Sequence, residues 1–169
     1  MTPTEELEAA TQAADLTPAD TIDLSLLQDF LVEAGEHLAE MESGLLQLEA
    51  DPDGREILND IFRSVHTIKG AAEFVGLERI SELSHKLENL LELLRQGQEQ
   101  VSRDIIDTLI EARDRISLLV EDLQRSQTEE AAVDDLVGRI ARLAESGEET
   151  DEGRIYEEPE EAAAGRVGP

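Results

Sequence analysis

Residues 24–48 read LSLLQDFLVEAGEHLAEMESGLLQL, and this stretch decides the fold. Leu27, Leu31, Ala34, Leu38, Met41, Leu45 and Leu48 follow one another at spacings of four and three. That rhythm places them on one stripe of a long amphipathic helix, which must bury its stripe against other elements. Asp51-Pro52-Asp53-Gly54 then breaks the chain.

Further stretches downstream repeat the pattern. The spacing predicts a second helix over about Gly54 to Phe74, with Ile57, Ile61, Val65, Ile68 and Ala72 inside. Asp53 and Glu56 have the spacing of a capping box at its start, and Gly76 marks its end. A third helix is predicted from Glu78 to Arg95, with Ile80, Leu83, Leu87, Leu90 and Leu94 facing inward and Gly97 as a stop. Ser102 is a natural N-cap for a fourth, with Asp104 in its first turn and Ile105, Leu109, Ile116, Leu119 and Leu123 as its buried stripe. A shorter fifth helix, about Ala132 to Glu145, carries Leu136, Val137, Ile140 and Leu143. Short connections favour antiparallel neighbours. The expected fold is therefore all-α: an antiparallel four-helix bundle, up-down-up-down, with the fifth helix packed at its C-terminal side. The bundle is expected over residues 22–146. Residues 1–21 read as a mobile arm, and 147–169 as an acidic disordered tail or linker, because they hold too little apolar surface to offset the entropy of ordering.

Composition narrows the function classes. Hydrophobic residues are 40% of the 169 but aromatics only 2%, so the core is aliphatic. No cysteine is present, which removes disulfides and thiolate metal sites. A formal net charge of −27 argues against nucleic acid and anionic membrane surfaces as partners. No run of about 18 apolar residues suits a membrane span, and the first residues lack the form of a signal peptide, so a cytoplasmic location is expected.

The stretch with the most chemistry is Arg63-Ser64-Val65-His66-Thr67-Ile68-Lys69-Gly70. His66 follows a core position, so its ring points to the side of the helix and toward water. Lys69 and Gly70 lie three and four residues on, hence on the same face, and Arg63 lies three before. A neutral imidazole is a good nucleophile near neutral pH, and Lys69 would balance the charge of an attached phosphoryl group. Gly70 costs about 1 kcal/mol against alanine inside a helix. Its use would be to clear a side chain from beside the histidine so that a partner can approach. On the third helix His85 and Glu88 share a face. If the second and third helices pack antiparallel, Glu88 comes within reach of the His66 ring, fixes its tautomer and leaves the other nitrogen unprotonated.

These residues resemble the histidine phosphotransfer (HPt) family, and within it the phosphotransfer domains of chemotaxis-type histidine kinases. The resemblance rests on His66-Thr67-Ile68-Lys69-Gly70, then Phe74 and Gly76, then His85-Lys86-Leu87-Glu88-Asn89-Leu90-Leu91. The Phe30-Leu31-x-Glu33-Ala34 opening and the fifth helix also fit, and the likeness covers Leu24 to Ser146. It implies that His66 is the phosphorylated residue and that Glu88 hydrogen-bonds its ring. Lys69 and His85 would lie in the surrounding polar network, and Gly70 would give steric access. The implied partners are the catalytic domain of a histidine kinase and the receiver domain of a response regulator. No cofactor or metal is expected on this chain, and ATP would act through the separate kinase domain. The chain holds no Walker motif and no glycine-rich ATP lid, so it is expected to carry phosphate without being a kinase by itself, unless it is part of a larger one.

Two other readings stand beside this one. Glu82-x-x-His85 has the spacing of a di-iron bundle ligand pair, but a second copy is missing, since Ala34 and Arg63 stand three residues before the other histidines. A helical adaptor without chemistry, docking a partner through the His66 region, is the alternative.

Overall fold

The computed structural model describes residues 23–145, and the expected arm and tail lie outside them. Among the described residues there are five helices and no strand. They are α1 (Leu24–Ala50), α2 (Arg55–Val75), α3 (Glu78–Arg95), α4 (Arg103–Ser126) and α5, helical over 134–145.

Side-chain partners across each seam run in opposite numerical order. Glu40 meets Ser64 while Gly44 faces Ile61 between α1 and α2. Asn59 meets Arg95 while Lys69 meets Glu88 between α2 and α3. Glu111 meets Arg139 while Arg115 meets Asp135 between α4 and α5. Each pair is thus antiparallel. α1 packs on α2 and α4, and α3 packs on the same two helices, so α1 to α4 close into a ring.

The core contains the stripes read from the sequence with two shifts, and adds Leu77, Leu91, Ile106, Ala112, Val120 and Val133. Phe30, not Leu31, points inside α1, and Leu31 packs half-buried at the margin. Leu58, not Ile57, is buried at the start of α2. Both replacements are one residue away from the expected position. The stripe's rotation about the helix axis is set by the helices it meets, which spacing alone does not specify. One close approach is built by a glycine: a Cβ on Gly44 would lie 2.7 Å from Ile61 Cγ1, so α1 and α2 touch there backbone to side chain.

Helix ends follow local chemistry in most places. Asp23 caps α1, its Oδ1 accepting from the Ser25 and Leu26 N–H groups. Ser102 caps α4, accepting from Ile105 N–H at 3.2 Å. Gly76, at φ 90°, closes α2 in a Schellman motif, with Leu77 N–H donating to Ala72 C=O and Gly76 N–H to Glu73 C=O. The capping box expected from Asp53 and Glu56 does not form. Gly54 is the N-cap of α2 and contributes no side-chain cap. Asp53 stands one residue before that cap position, and Ile57 packs so closely over Gly54 that a Cβ there would sit 2.5 Å from Ile57 Cδ1. The start of α3 lacks its own side-chain cap as well. Glu129, in the α4–α5 connection, supplies one from a distance by accepting from Arg79 N–H at 3.1 Å and Ile80 N–H at 2.7 Å.

Leu87 is 1% exposed at the centre of the α3 stripe, whereas Leu46 is 63% exposed on α1. Leu87→Ala is expected to lower the free energy of unfolding by about 2–5 kcal/mol. Leu46→Ala should change it by no more than about 0.5 kcal/mol. Urea denaturation of the two variants checks this, and equal losses would contradict the packing described.

Candidate functional site

The site lies on the α2–α3 seam and is built one residue away from the core stripe of each helix. On α2 the buried Leu58, Ile61, Val65 and Ile68 are each followed by a seam residue: Asn59, Phe62, His66 and Lys69. On α3 the buried Leu87, Leu91 and Leu94 are likewise followed by Glu88, Glu92 and Arg95. One residue is a 100° turn of the helix, so these side chains leave the core sideways and meet across the antiparallel contact.

His66 has its side chain 61% exposed, while Glu88 and Lys69 are recessed at 16% each. The Glu88 carboxylate reaches both: Oε2 lies 2.7 Å from His66 Nδ1, and Oε1 accepts from Lys69 Nζ at 3.0 Å. Partial burial works to raise the Glu88 pKa, but the hydrogen bonds and charges of His66 and Lys69 outweigh it and hold the carboxyl below its ordinary range. Glu88 is therefore a carboxylate at neutral pH and has no proton to give. The short contact then requires the proton on Nδ1, and in the neutral form of the ring the lone pair is on Nε2. The result is an imidazole held from behind, with its nucleophilic nitrogen on the edge away from Glu88.

The structure brings together His66, Glu88 and Lys69 among the residues singled out in the sequence. It does not bring in His85, which is exposed on α3 one turn before Glu88 and makes no hydrogen bond or ion pair among the described residues. His85 follows the buried Ser84 and lies on the same side of α3 as Glu88, but it takes no part in the contacts around His66. Gly70 is exposed on α2, and a Cβ there would meet nothing within 4 Å, so no internal packing calls for a glycine. Arg63 is 77% exposed and reaches only Asp60, at 3.8 Å. Among the described residues no three His, Cys, Asp or Glu side chains gather closely enough to hold a metal ion, and no helix is long and apolar enough to cross a membrane.

Sequence reasoning missed a neighbour of the ring and the residue that covers it. Phe62, one turn before His66, lies parallel to it, with centroids 6.1 Å apart and planes 10° from parallel. The Arg95 guanidinium sits 4.1 Å from the Phe62 ring centroid. The one-residue offset from the core stripes was the available signal for both.

On the α1 side of α2 an open groove of about 520 Å³ runs past His37, Glu40, Ser64 and Thr67. It holds a chain of contacts, with Ser64 Oγ donating to Glu40 Oε2 at 3.1 Å and Glu40 Oε2 lying 3.3 Å from His37 Nδ1. This is a second His–Glu pair, but both members stand on α1, whereas Glu88 reaches His66 from the neighbouring helix.

The profile of the Hpt domain matches residues 25–145, and the chain belongs to that family. It is 36% identical over 128 residues to the chemotaxis protein CheA of Bacillus subtilis, covering 72% of this chain and 19% of that protein. It is 32% identical over 127 residues to CheA of Listeria monocytogenes, covering 75% of this chain and 21% of that one. The chain thus spans only about a fifth of these relatives. Among solved structures it resembles the CheA phosphotransferase domain from Thermotoga maritima, with a TM-score of 0.58 and 31% identity over 61% of this chain and 98% of that one. It also resembles the phosphorylated P1 domain of CheA3 in complex with CheY6 from R. sphaeroides, with a TM-score of 0.62 and 25% identity over 70% of this chain and 98% of that one.

Two outcomes follow from the geometry. A depressed carboxyl pKa means that the folded chain binds this proton more weakly than the unfolded chain. The contribution of Glu88 to stability is therefore complete above the unfolded value of about 4.3 and is lost as pH falls through the lower folded value. The stability difference between wild type and Glu88→Gln, followed by thermal unfolding from pH 7 downward, should shrink across that acid window and not above it. Gly70→Ala should raise stability by up to about 1 kcal/mol, since the helix gains alanine and the new methyl meets open space. A loss of stability would mean that Gly70 serves the fold and not access to the ring.

Proposed function

We propose that this chain is a phosphoryl carrier in a two-component relay of the chemotaxis type, with His66 as the carrying residue. The observation that supports it most is the 2.7 Å contact of Glu88 with His66 Nδ1, which leaves Nε2 as the nucleophile. Nε2 attacks the γ-phosphorus of ATP held by a separate histidine-kinase domain. An N–P bond forms, the P–O bond to ADP breaks, and the electron pair leaves with ADP. The ring becomes more positive as this happens, and the Glu88 carboxylate on Nδ1–H stabilises it. In the second step an aspartate oxygen of a response-regulator receiver attacks the phosphorus. The N–P bond breaks and its electron pair returns to Nε2. Lys69 holds Glu88 in place and offsets negative charge beside the phosphoryl group. Gly70 leaves room for both partner domains to reach the ring.

In this reading the chain supplies no nucleotide site and is a substrate and carrier. Its similarity to a fifth of CheA proteins is consistent with its being the phosphoacceptor part of a larger histidine kinase. A cytoplasmic location accords with that role. The bundle over 22–146 is the carrier unit, with the segments before and after it as connections.

The test is incubation of the 169-residue chain with the kinase domain of a CheA relative and labelled ATP. Wild type is expected to take up acid-labile, base-stable label and His66→Gln none. Glu88→Ala should keep the fold and slow the uptake. Acid-stable label, or a His66→Gln protein that keeps its activity in the cell, would overturn the proposal in favour of a docking adaptor.

A further inference from the structure

The hydrogen bond that His66 Nδ1–H donates to Glu88 anchors one nitrogen of the ring, but it does not by itself set the ring's plane. The χ2 torsion of histidine is broad, and a single hydrogen bond tolerates a range of angles. In-line attack needs the Nε2 lone pair aimed in one direction, which demands a second constraint. The seam contains one. Phe62 lies beside the imidazole with planes only 10° from parallel and centroids 6.1 Å apart, within the range of offset-stacked aromatic pairs. Phe62 is itself only half-buried, so the core does not hold it alone. The guanidinium of Arg95 covers its ring at 4.1 Å. Arg95 in turn is fixed from both helices, by Nε donating to Asn59 Oδ1 and Nη1 to Glu92 Oε2, each at 2.7 Å.

We propose that Phe62 and Arg95 are positioning residues for His66: the Arg95 guanidinium steadies the Phe62 ring, and that ring holds the plane of the imidazole for phosphoryl transfer. The inference rests on the reading of His66 as the phosphoryl carrier. It assigns the seam two ends around one histidine. Glu88 and Lys69 set its protonation from one end, and Asn59, Glu92, Arg95 and Phe62 set its orientation from the other. A phenylalanine that only filled space would be replaceable by leucine at a cost in stability alone. A positioning ring is not replaceable in that way, because leucine offers no flat face.

The test uses the full chain, the kinase domain of a CheA relative and labelled ATP, with initial rates read as kcat and KM for the chain as substrate. Phe62→Leu should lower kcat about tenfold at unchanged KM, the size expected for losing an aromatic pair. Phe62→Tyr keeps the flat ring and should recover the wild-type rate. Arg95→Met keeps the stem without the cation and should lower kcat about threefold. Carbon relaxation at His66 Cε1 should report greater ring motion in Phe62→Leu than in wild type. A Phe62→Leu protein that folds and transfers at the wild-type kcat overturns the proposal. So does a loss confined to KM, which would make Phe62 a docking residue. If Phe62→Leu does not fold, Arg95→Met decides, and an unchanged kcat there overturns it. Wild type that accepts no label instead removes the function, so the two failures are distinguishable.

Discussion

One carboxylate, Glu88, holds the candidate site on the α2–α3 seam together. It is recessed between α2 and α3, where ionisation is opposed by partial loss of water, and it remains charged because His66 and Lys69 both donate to it. Removing either donor would leave a desolvated charge with half its compensation. Removing the carboxylate would leave the imidazole free to exchange tautomers and Lys69 without its partner. The same group therefore serves local stability and the chemistry of the ring.

That arrangement depends on how near the two helices come and in what register. The leucine and isoleucine stripes determine both. Val65 and Ile68 on α2 and Leu87 and Leu91 on α3 are essentially without solvent exposure, and the site residues follow them by one position. A shift of one residue in either stripe would swing the whole seam by 100° and disperse it. The core is thus part of the site's mechanism of assembly. Two glycines differ in their surroundings. Gly44 is filled from outside by Ile61, whereas Gly70 faces open space.

The far end of α3 is tied down by the α4–α5 connection. Glu129 caps its first turn, and Arg79 donates to the Glu130 and Ala131 carbonyls. Asp122 holds the same loop by accepting from the Glu130 and Ala131 N–H groups. The fifth helix and its connection therefore help to fix the helix that carries Glu88, which gives that extra element a structural use beyond covering the bundle.

The sequence by itself determined the helices, their ends at Gly76 and Ser102, the aliphatic core and the candidate triad of His66, Lys69 and Glu88. The helices, their ends and the core are legible because they rest on spacing within one helix or on chemistry within one turn, which are local. The meeting of Glu88 with His66 followed only once antiparallel packing was assumed. Tertiary structure alone decided the rest. It chose Phe30 over Leu31 and Leu58 over Ile57 for the core. It left His85 outside the network and brought Glu129 to a helix start some fifty residues earlier in the chain. It also laid Phe62 beside His66 under Arg95. Each of these depends on the rotation of one helix against another. Periodicity specifies that a helix has an inner face, but only the neighbours it packs against fix where that face points.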